Sequence, residues 1–134
     1  MRGWAEAGGA GVRAAGGRAL AAGVEARGSG AMAELVNDTV ENSGRLDYLF
    51  NNAGIGIVGK VCEHVADDWE YIVGVNLHGV VNGIQVAYPL MIEQGFGHIV
   101  NTASIAGLCP SPGLVSYAAT KHAVVGLSTS LRLE

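Results

Sequence analysis

The stretch LDYLFNNAG, residues 46–54, is a compact apolar run that closes in turn-forming residues. A short run of this kind, bounded by Asn and Gly, predicts a buried strand whose carboxyl end opens into a loop. A second run, GHIVNTAS at 97–104, also ends in small polar residues and predicts another strand. Between them, ADDWEYIVGVNLHGVVNGIQVAYPLMIEQG (66–95) reads as helical for most of its length. The pattern predicts two helices that break near Gly74 to Asn76, with Pro89 inside the second and expected to kink it. IAGLCPSPGL (105–114) carries two prolines and two glycines and reads as loop. VSYAATKHAVVGLSTSLRLE (115–134) predicts a final helix.

Upstream, SGAMAELVNDTVENSG (29–44) predicts a helix, because Met32, Leu35, Val36 and Val40 keep helical spacing. Ser29 reads as its N-cap and Gly44 as its stop. GGRALAAGVEAR (16–27) predicts a short buried strand around Leu20 to Val24, although alanine and glycine are poor strand formers. Of the 21 glycines, nine fall within the first 30 residues, and that opening has few large apolar side chains. Such a stretch buries too little surface to offset its ordering entropy. Residues 1–15 are therefore expected to be loose or weakly helical, an irregular segment ahead of one folded domain at 16–134.

From residue 16 the order is strand, helix, strand, helices, strand, helix. That alternation predicts an α/β fold with a parallel sheet and right-handed crossovers, helices covering the faces. Ligands in open sheets of this kind bind at the carboxyl ends of the strands. Asn51 to Gly54 and Thr102 to Ser104 both stand at such ends.

The bulk numbers are those of a globular chain: 134 residues, 49% hydrophobic, 15% charged, net charge −4. No basic run points to nucleic acid or an anionic membrane, and no uninterrupted apolar stretch is long enough for a membrane span. The opening MRGWAEAGGAG lacks the apolar core of a signal peptide. Cys62 and Cys109 form no C-x-x-C and suggest no disulfide framework, so a reducing cytoplasm is the expected compartment. His64, His78, His98 and His122 show no metal-ligand spacing, and no metal site is expected.

SYAATKH (116–122) places Tyr117 and Lys121 four positions apart, on one face of the last helix. Ser104 ends a predicted strand 13 residues earlier, and Asn76 lies 28 residues before Ser104 at the predicted helix break. Taken singly, each has a plain reading: a solvated helix pair, a strand-end hydroxyl, an asparagine bonding backbone. As a set they make chemical sense. With NNAG at 51–54 the set resembles a family in which a hydride moves at a carbonyl carbon, and that requires a proton to move at the oxygen. Free tyrosine titrates near ~10, too high for a good base at neutral pH, and a neighbouring ammonium favours the phenolate. Lys121 is placed to supply that charge, Tyr117 to act as general acid or base, and Ser104 to hold the substrate oxygen.

The set Asn76, Ser104, Tyr117, Lys121, with NNAG at 51–54, resembles the short-chain dehydrogenase/reductase family. The strings GRLDYLFNNAGIG, VNLHGVVNG, GHIVNTASIAG and SYAATKHAVVGLSTSL occur in the family's order and spacing, across roughly residues 16–134. The resemblance implies an oxidoreductase that uses NAD or NADP on a small-molecule alcohol or ketone. It implies that Lys121 binds the nicotinamide ribose and that Asn76 positions a water of a proton relay. It implies that Asn52, Ala53 and Gly54 lie against the adenosine half of the cofactor, with Tyr117 and Lys121 also touching the cofactor, while Asn51 ties neighbouring strands. Glu25 falls about where the family carries an aspartate that reads the adenine. The implied fold is a Rossmann-like doubly wound parallel sheet in three α/β/α layers. Homo-oligomers would form through the helices 75–94 and 115–133, with Val75, Val80, Ile84, Tyr88, Val124, Leu127 and Leu131 as the apolar contact stripe.

The family's T-G-x-x-x-G-x-G phosphate turn is absent. GGAGVRAAGG (8–17) has no preceding apolar strand and fails the context test for that fingerprint. The expectation is a partial domain, with the first βαβ unit and the last strands missing, and an N- and C-terminally truncated chain. Two alternatives stay open: an inactive fragment that retains the dimerisation helices, and an epimerase or dehydratase of the family's extended branch, which shares Tyr-x-x-x-Lys. The apolar segment Leu108 to Val115 favours a hydrophobic alcohol or ketone.

Overall fold

The computed structural model describes residues 2–134; Met1, the first residue of the segment expected to be irregular, lies outside the described residues. Two parallel strands form the sheet, β1 (Tyr48–Asn51) and β2 (His98–Asn101), paired in the register Tyr48–His98, Leu49–Ile99, Phe50–Val100, Asn51–Asn101. Both coincide with the apolar runs that predict them. The helices are α1 (Arg2–Ala14), α2 (Ser29–Ser43), α3 (Ala66–Val73), α4 (Gly79–Gln94) and α5 (Val115–Leu131). Single 3₁₀ turns stand at Val61–Glu63 and Ile105–Gly107.

The strand period decides which side chains are covered. Leu49 and Ile99 point to the face on which α4 packs, and join Val36, Leu46, Ala87 and Met91 in one core. α2 packs on the outside of α4, and α5 packs beside α3 and on the turn at Ile105–Gly107. On the other face Tyr48, Phe50 and Val100 stay exposed, with Tyr48 stacked between Phe50 and His98. The described residues thus build the sheet and one helical layer of an α/β Rossmann-type architecture.

Four local expectations are corrected. The helix predicted to break near Asn76 does not break. Between α3 and α4 the residues Gly74–His78 form a π turn, and the Gly79 N–H donates to the Gly74 carbonyl five residues back. The chain stays helical, takes up one extra residue, and continues past Pro89 to Gln94. Ser29 is not the N-cap of α2. Gly28 takes that place in extended conformation, and Ser29 is the first helical residue. Gly44, by contrast, is the left-handed stop that was expected, at φ 75°. The strand expected at Leu20–Val24 does not form, and Leu20 is 86% exposed. A strand needs a hydrogen-bonded neighbour, and among the described residues none lies beside this one. The opening residues expected to be loose or weakly helical instead form α1, which turns at Gly16 (φ 83°).

Candidate active site

The loops after β1 and β2 meet the first turns of α5 at the carboxyl ends of the strands. Asn51, the last residue of β1, donates through Nδ2 to Asn101 Oδ1 at 2.8 Å, and Asn101 passes the link to Ser128 on α5 at 3.0 Å. Asn51 therefore ties the strands together, as expected. Gly83 on α4 makes room for it, since a Cβ there would collide with the Asn51 amide.

One step further along both strands, Thr102 Oγ1 donates to Asn52 Oδ1 at 2.8 Å. The Thr102 carbonyl accepts from Lys121 Nζ at 2.7 Å. Lys121 is only 4% exposed, and its ammonium lies 5.7 Å from the centroid of the Tyr117 ring. The helical spacing of four residues does what the sequence implies: it puts phenol and ammonium on one face of α5.

Asn76 sits in the π turn and is fully buried. Its amide reads the backbone of Ile55 in both directions: Oδ1 accepts from Ile55 N at 2.8 Å and Nδ2 donates to Ile55 O at 2.9 Å. The second Nδ2 hydrogen goes to Thr120 Oγ1 at 3.1 Å, and Thr120 Oγ1 donates to the Tyr117 carbonyl at 2.7 Å. One side chain thus joins the NNAG turn, the α3–α4 junction and α5. The extra residue of the π turn directs Asn76 inward, which accounts for its place at a functional edge.

These groups enclose a cleft of about 370 Å³, within the range of small-molecule sites. Its polar wall is Asn52, Thr102, Tyr117 and Lys121. Its apolar wall includes Ile55, Ala103 and Leu114, and Gly54 and Gly56 leave backbone bare. A larger hollow of about 740 Å³ opens beside the free edge of β2, between Met91 on α4 and Ser128 on α5. It contains none of the candidate catalytic groups, so volume alone does not mark the site.

Three candidates stand off the cleft wall: Asn76, fully buried behind it, and Ser104 and Ala53. Ser104 caps the 3₁₀ turn, its Oγ accepting from Ala106 N at 3.2 Å. Ala53 faces a separate small hollow with Ala26 and Leu49. The turn that carries Ser104 lies hard against α5, because a Cβ on Gly107 would sit 2.6 Å from the Lys121 carbonyl. Only glycine permits that approach. Sequence reasoning placed Thr102 at the ligand-binding edge without giving it a role, and missed Thr120. The signals were present: Thr102 directly follows β2, and Thr120 lies about one turn after Tyr117.

Glu25 is far from this cluster in its contacts. Arg27 Nε and Nη2 each reach a Glu25 carboxylate oxygen at 3.2 Å, and those hydrogen bonds hold the carboxyl below its ordinary range.

A family model described as short chain dehydrogenase matches residues 5–134, further toward the start than the motifs alone reach. The meso-2,3-butanediol dehydrogenase of Serratia marcescens is 40% identical over 118 residues, 88% of this chain and 47% of that protein. A crystal structure of a short chain dehydrogenase/reductase from Burkholderia phymatum in complex with NAD superposes with a TM-score of 0.94 at 38% identity, covering 96% of this chain and 46% of that one. A metagenomic short-chain oxidoreductase in complex with NADP gives a TM-score of 0.91 at 31% identity, covering 98% and 60%. The chain thus spans about half the length of the relatives it matches.

Proposed function

The chain belongs to the short chain dehydrogenase family, and from that premise we propose an NAD- or NADP-dependent oxidoreductase acting on an alcohol/carbonyl pair. The observation that carries this reading is the cleft in which Tyr117 and the buried Lys121 share one wall with Asn52 and Thr102. Tyr117 gives its phenolic proton to the carbonyl oxygen in reduction and takes one from the hydroxyl in oxidation. Lys121, fixed by the Thr102 carbonyl, holds a positive charge beside the phenol. Ser104 would hold the substrate oxygen with its own proton, which stays free while its Oγ accepts from Ala106 N. Asn76, with both amide hydrogens engaged, holds the turn and α5 in register.

The residues fit the nicotinamide half of a dinucleotide. Gly54 presents bare backbone beside Lys121 and Asn76, and the cleft has room for a ring. Tyr117 and Lys121 would line that half, and Asn52 and Gly54, expected toward the adenosine half, share the same cleft with Ala53 in their turn. When bound, the dinucleotide supplies or accepts the hydride. The NAD and NADP in the two neighbouring structures support both forms as candidates.

Homo-oligomers through α4 and α5 remain part of this reading, with one revision. Val80 is 3% exposed and Val124 is 0% exposed, so both face the interior and neither offers a contact surface. Ile92, 63% exposed, stands on the outer side of α4 instead. No helix among the described residues is long and apolar enough to cross a membrane. The free thiols of Cys62 and Cys109 support a reducing cytoplasm as the compartment.

The test is calorimetric titration of the chain with NADH and NADPH, followed by turnover of a ketone panel, each with Tyr117→Phe beside it. Binding of either dinucleotide, with turnover lost in Tyr117→Phe, is expected. Absence of binding in a chain that is folded by circular dichroism would remove the activity from this chain.

A further inference from the structure

We propose that Thr120 is a positioning residue for Tyr117, the one through which the loop after β1 sets the first turn of α5. This rests on the reading of Tyr117 as the proton-transfer group and adds the device that aims it. Thr120 is 2% exposed and lines no part of the cleft, so it acts only through its neighbours. Its hydroxyl has one proton, donated to the Tyr117 carbonyl at 2.7 Å, and its oxygen accepts from Asn76 Nδ2 at 3.1 Å. Asn76 is itself held by the Ile55 N–H and carbonyl. A line of hydrogen bonds therefore runs from Ile55 through Asn76 and Thr120 to the backbone that carries the phenol.

A threonine bonded to a carbonyl of its own preceding turn is ordinary in a helix. Thr129 on α5 does this on an exposed face, donating to the Val125 carbonyl at 2.9 Å, and among the described residues no other element donates to it. Thr120 differs in receiving a donor from the α3–α4 junction, and its β-branched side chain is stiff enough to transmit the contact. Ser128, about two turns further on, accepts from Asn101 on β2 and donates to the Val124 carbonyl in the same manner. α5 is thus clipped at two points to two different elements. Lys121 meanwhile hangs from the Thr102 carbonyl beside β2. Phenol and ammonium have separate supports, and Thr120 fixes one against the other, with the ammonium 5.7 Å from the ring centroid. Losing the Thr120 hydroxyl leaves Lys121 anchored and frees the turn that carries Tyr117. Reaction rates are steep in such a displacement.

The test reads the contact between Tyr117 and Lys121 in the full chain by NMR, with no cofactor required. The nuclear Overhauser effect between the Tyr117 ring and the Lys121 ε-methylene should weaken at least about twofold in Thr120→Val, which keeps the shape and removes the hydroxyl. Thr120→Ser puts the hydroxyl back and should return the contact to that of wild type. Val36→Ala, which weakens the core between α2 and α4, should leave the contact unchanged, so lost stability alone does not produce the effect. With NADH or NADPH and the ketone that turns over fastest, kcat of Thr120→Val should fall about 10- to 100-fold while KM stays within about twofold. If Thr120→Val does not fold, Thr120→Ala is read in the same way. A wild-type contact in the folded variant would overturn the proposal, and so would an equal loss in Val36→Ala. The expected loss of contact in a chain that turns over no ketone would leave this inference standing and remove the oxidoreductase reading beneath it, so the two failures are distinguishable.

Discussion

Two glycine- and alanine-containing loops of this chain differ in how they are held. The turn Asn51 to Ile55 is bonded from three directions, by Thr102, Asn76 and Asn101, partners 21 to 50 residues away. The stretch 15–27 is held mostly by itself: Arg13 to the Ala19 carbonyl, Arg27 to Glu25, and one distant bond from Asn82 to the Ala26 carbonyl. Leu49, just before the first loop, packs in the core, while Leu20 in the second is 86% exposed. Composition does not separate the two. What separates them is whether other elements of the fold supply partners for the backbone, and a loop that must hold chemistry needs such partners.

The sharpest test acts within the first loop's surroundings and separates chemistry from scaffold. Tyr117→Phe removes one hydroxyl that has no protein hydrogen bond as donor or acceptor among the described contacts. Hydride transfer should fall by about 10²- to 10⁴-fold, with the unfolding midpoint in urea unchanged. A large loss of stability would mean the phenol is part of the scaffold.

Asn76→Ala should do the reverse and strike the scaffold. It strips partners from the Ile55 N–H and carbonyl and from Thr120 in a fully buried place. A cost of about 3 kcal/mol in urea unfolding is expected from buried groups left unpaired. Amide exchange at Ile55 should rise in step. A neutral outcome would show that the turn is held by other means, and the contrast between the loops would weaken.

These two residues also mark how far the sequence could be read. The strands at 48–51 and 98–101 were legible because short apolar runs ending in Asn and Gly have few alternatives. Tyr117 and Lys121 were legible because helical spacing puts them on one face. The work of Thr120 was not, since its partner Asn76 is 44 residues away and meets it only through tertiary packing. The π turn escaped for a similar reason. Glycine and asparagine in a helix look like a break, and only the bonds to Ile55 and Thr120 show why the helix bears the extra residue. Leu20–Val24 failed in the opposite direction: its alanines and glycine favour a strand only weakly, and a strand is made by its neighbour.

Leu20→Ser probes that unpartnered stretch. Exposed in the fold, Leu20 should change stability by less than about 0.5 kcal/mol, measured by the same urea titration. A loss comparable to Asn76→Ala would mean that 15–27 packs in solution as the first loop does.

The smallest effect is expected at Glu25, and its sign can be worked out. Arg27 holds the Glu25 carboxyl below its ordinary value of 4.5 in the folded chain. A carboxylate with a depressed value contributes stability above the unfolded value and loses it as pH falls through the folded one. Wild type should therefore gain over Glu25→Gln at any pH above about 4.5, and the two should converge as pH falls below it. Both partners are exposed, so solvent screens the pair and the neutral-pH gap should lie near the limit of detection. Thermal midpoints from pH 7 down to pH 3 would measure it. A wide gap at pH 7 that closes in acid would mean that the Glu25–Arg27 pair locks residues 15–27, and the two loops would then differ in kind of partner rather than in degree of order.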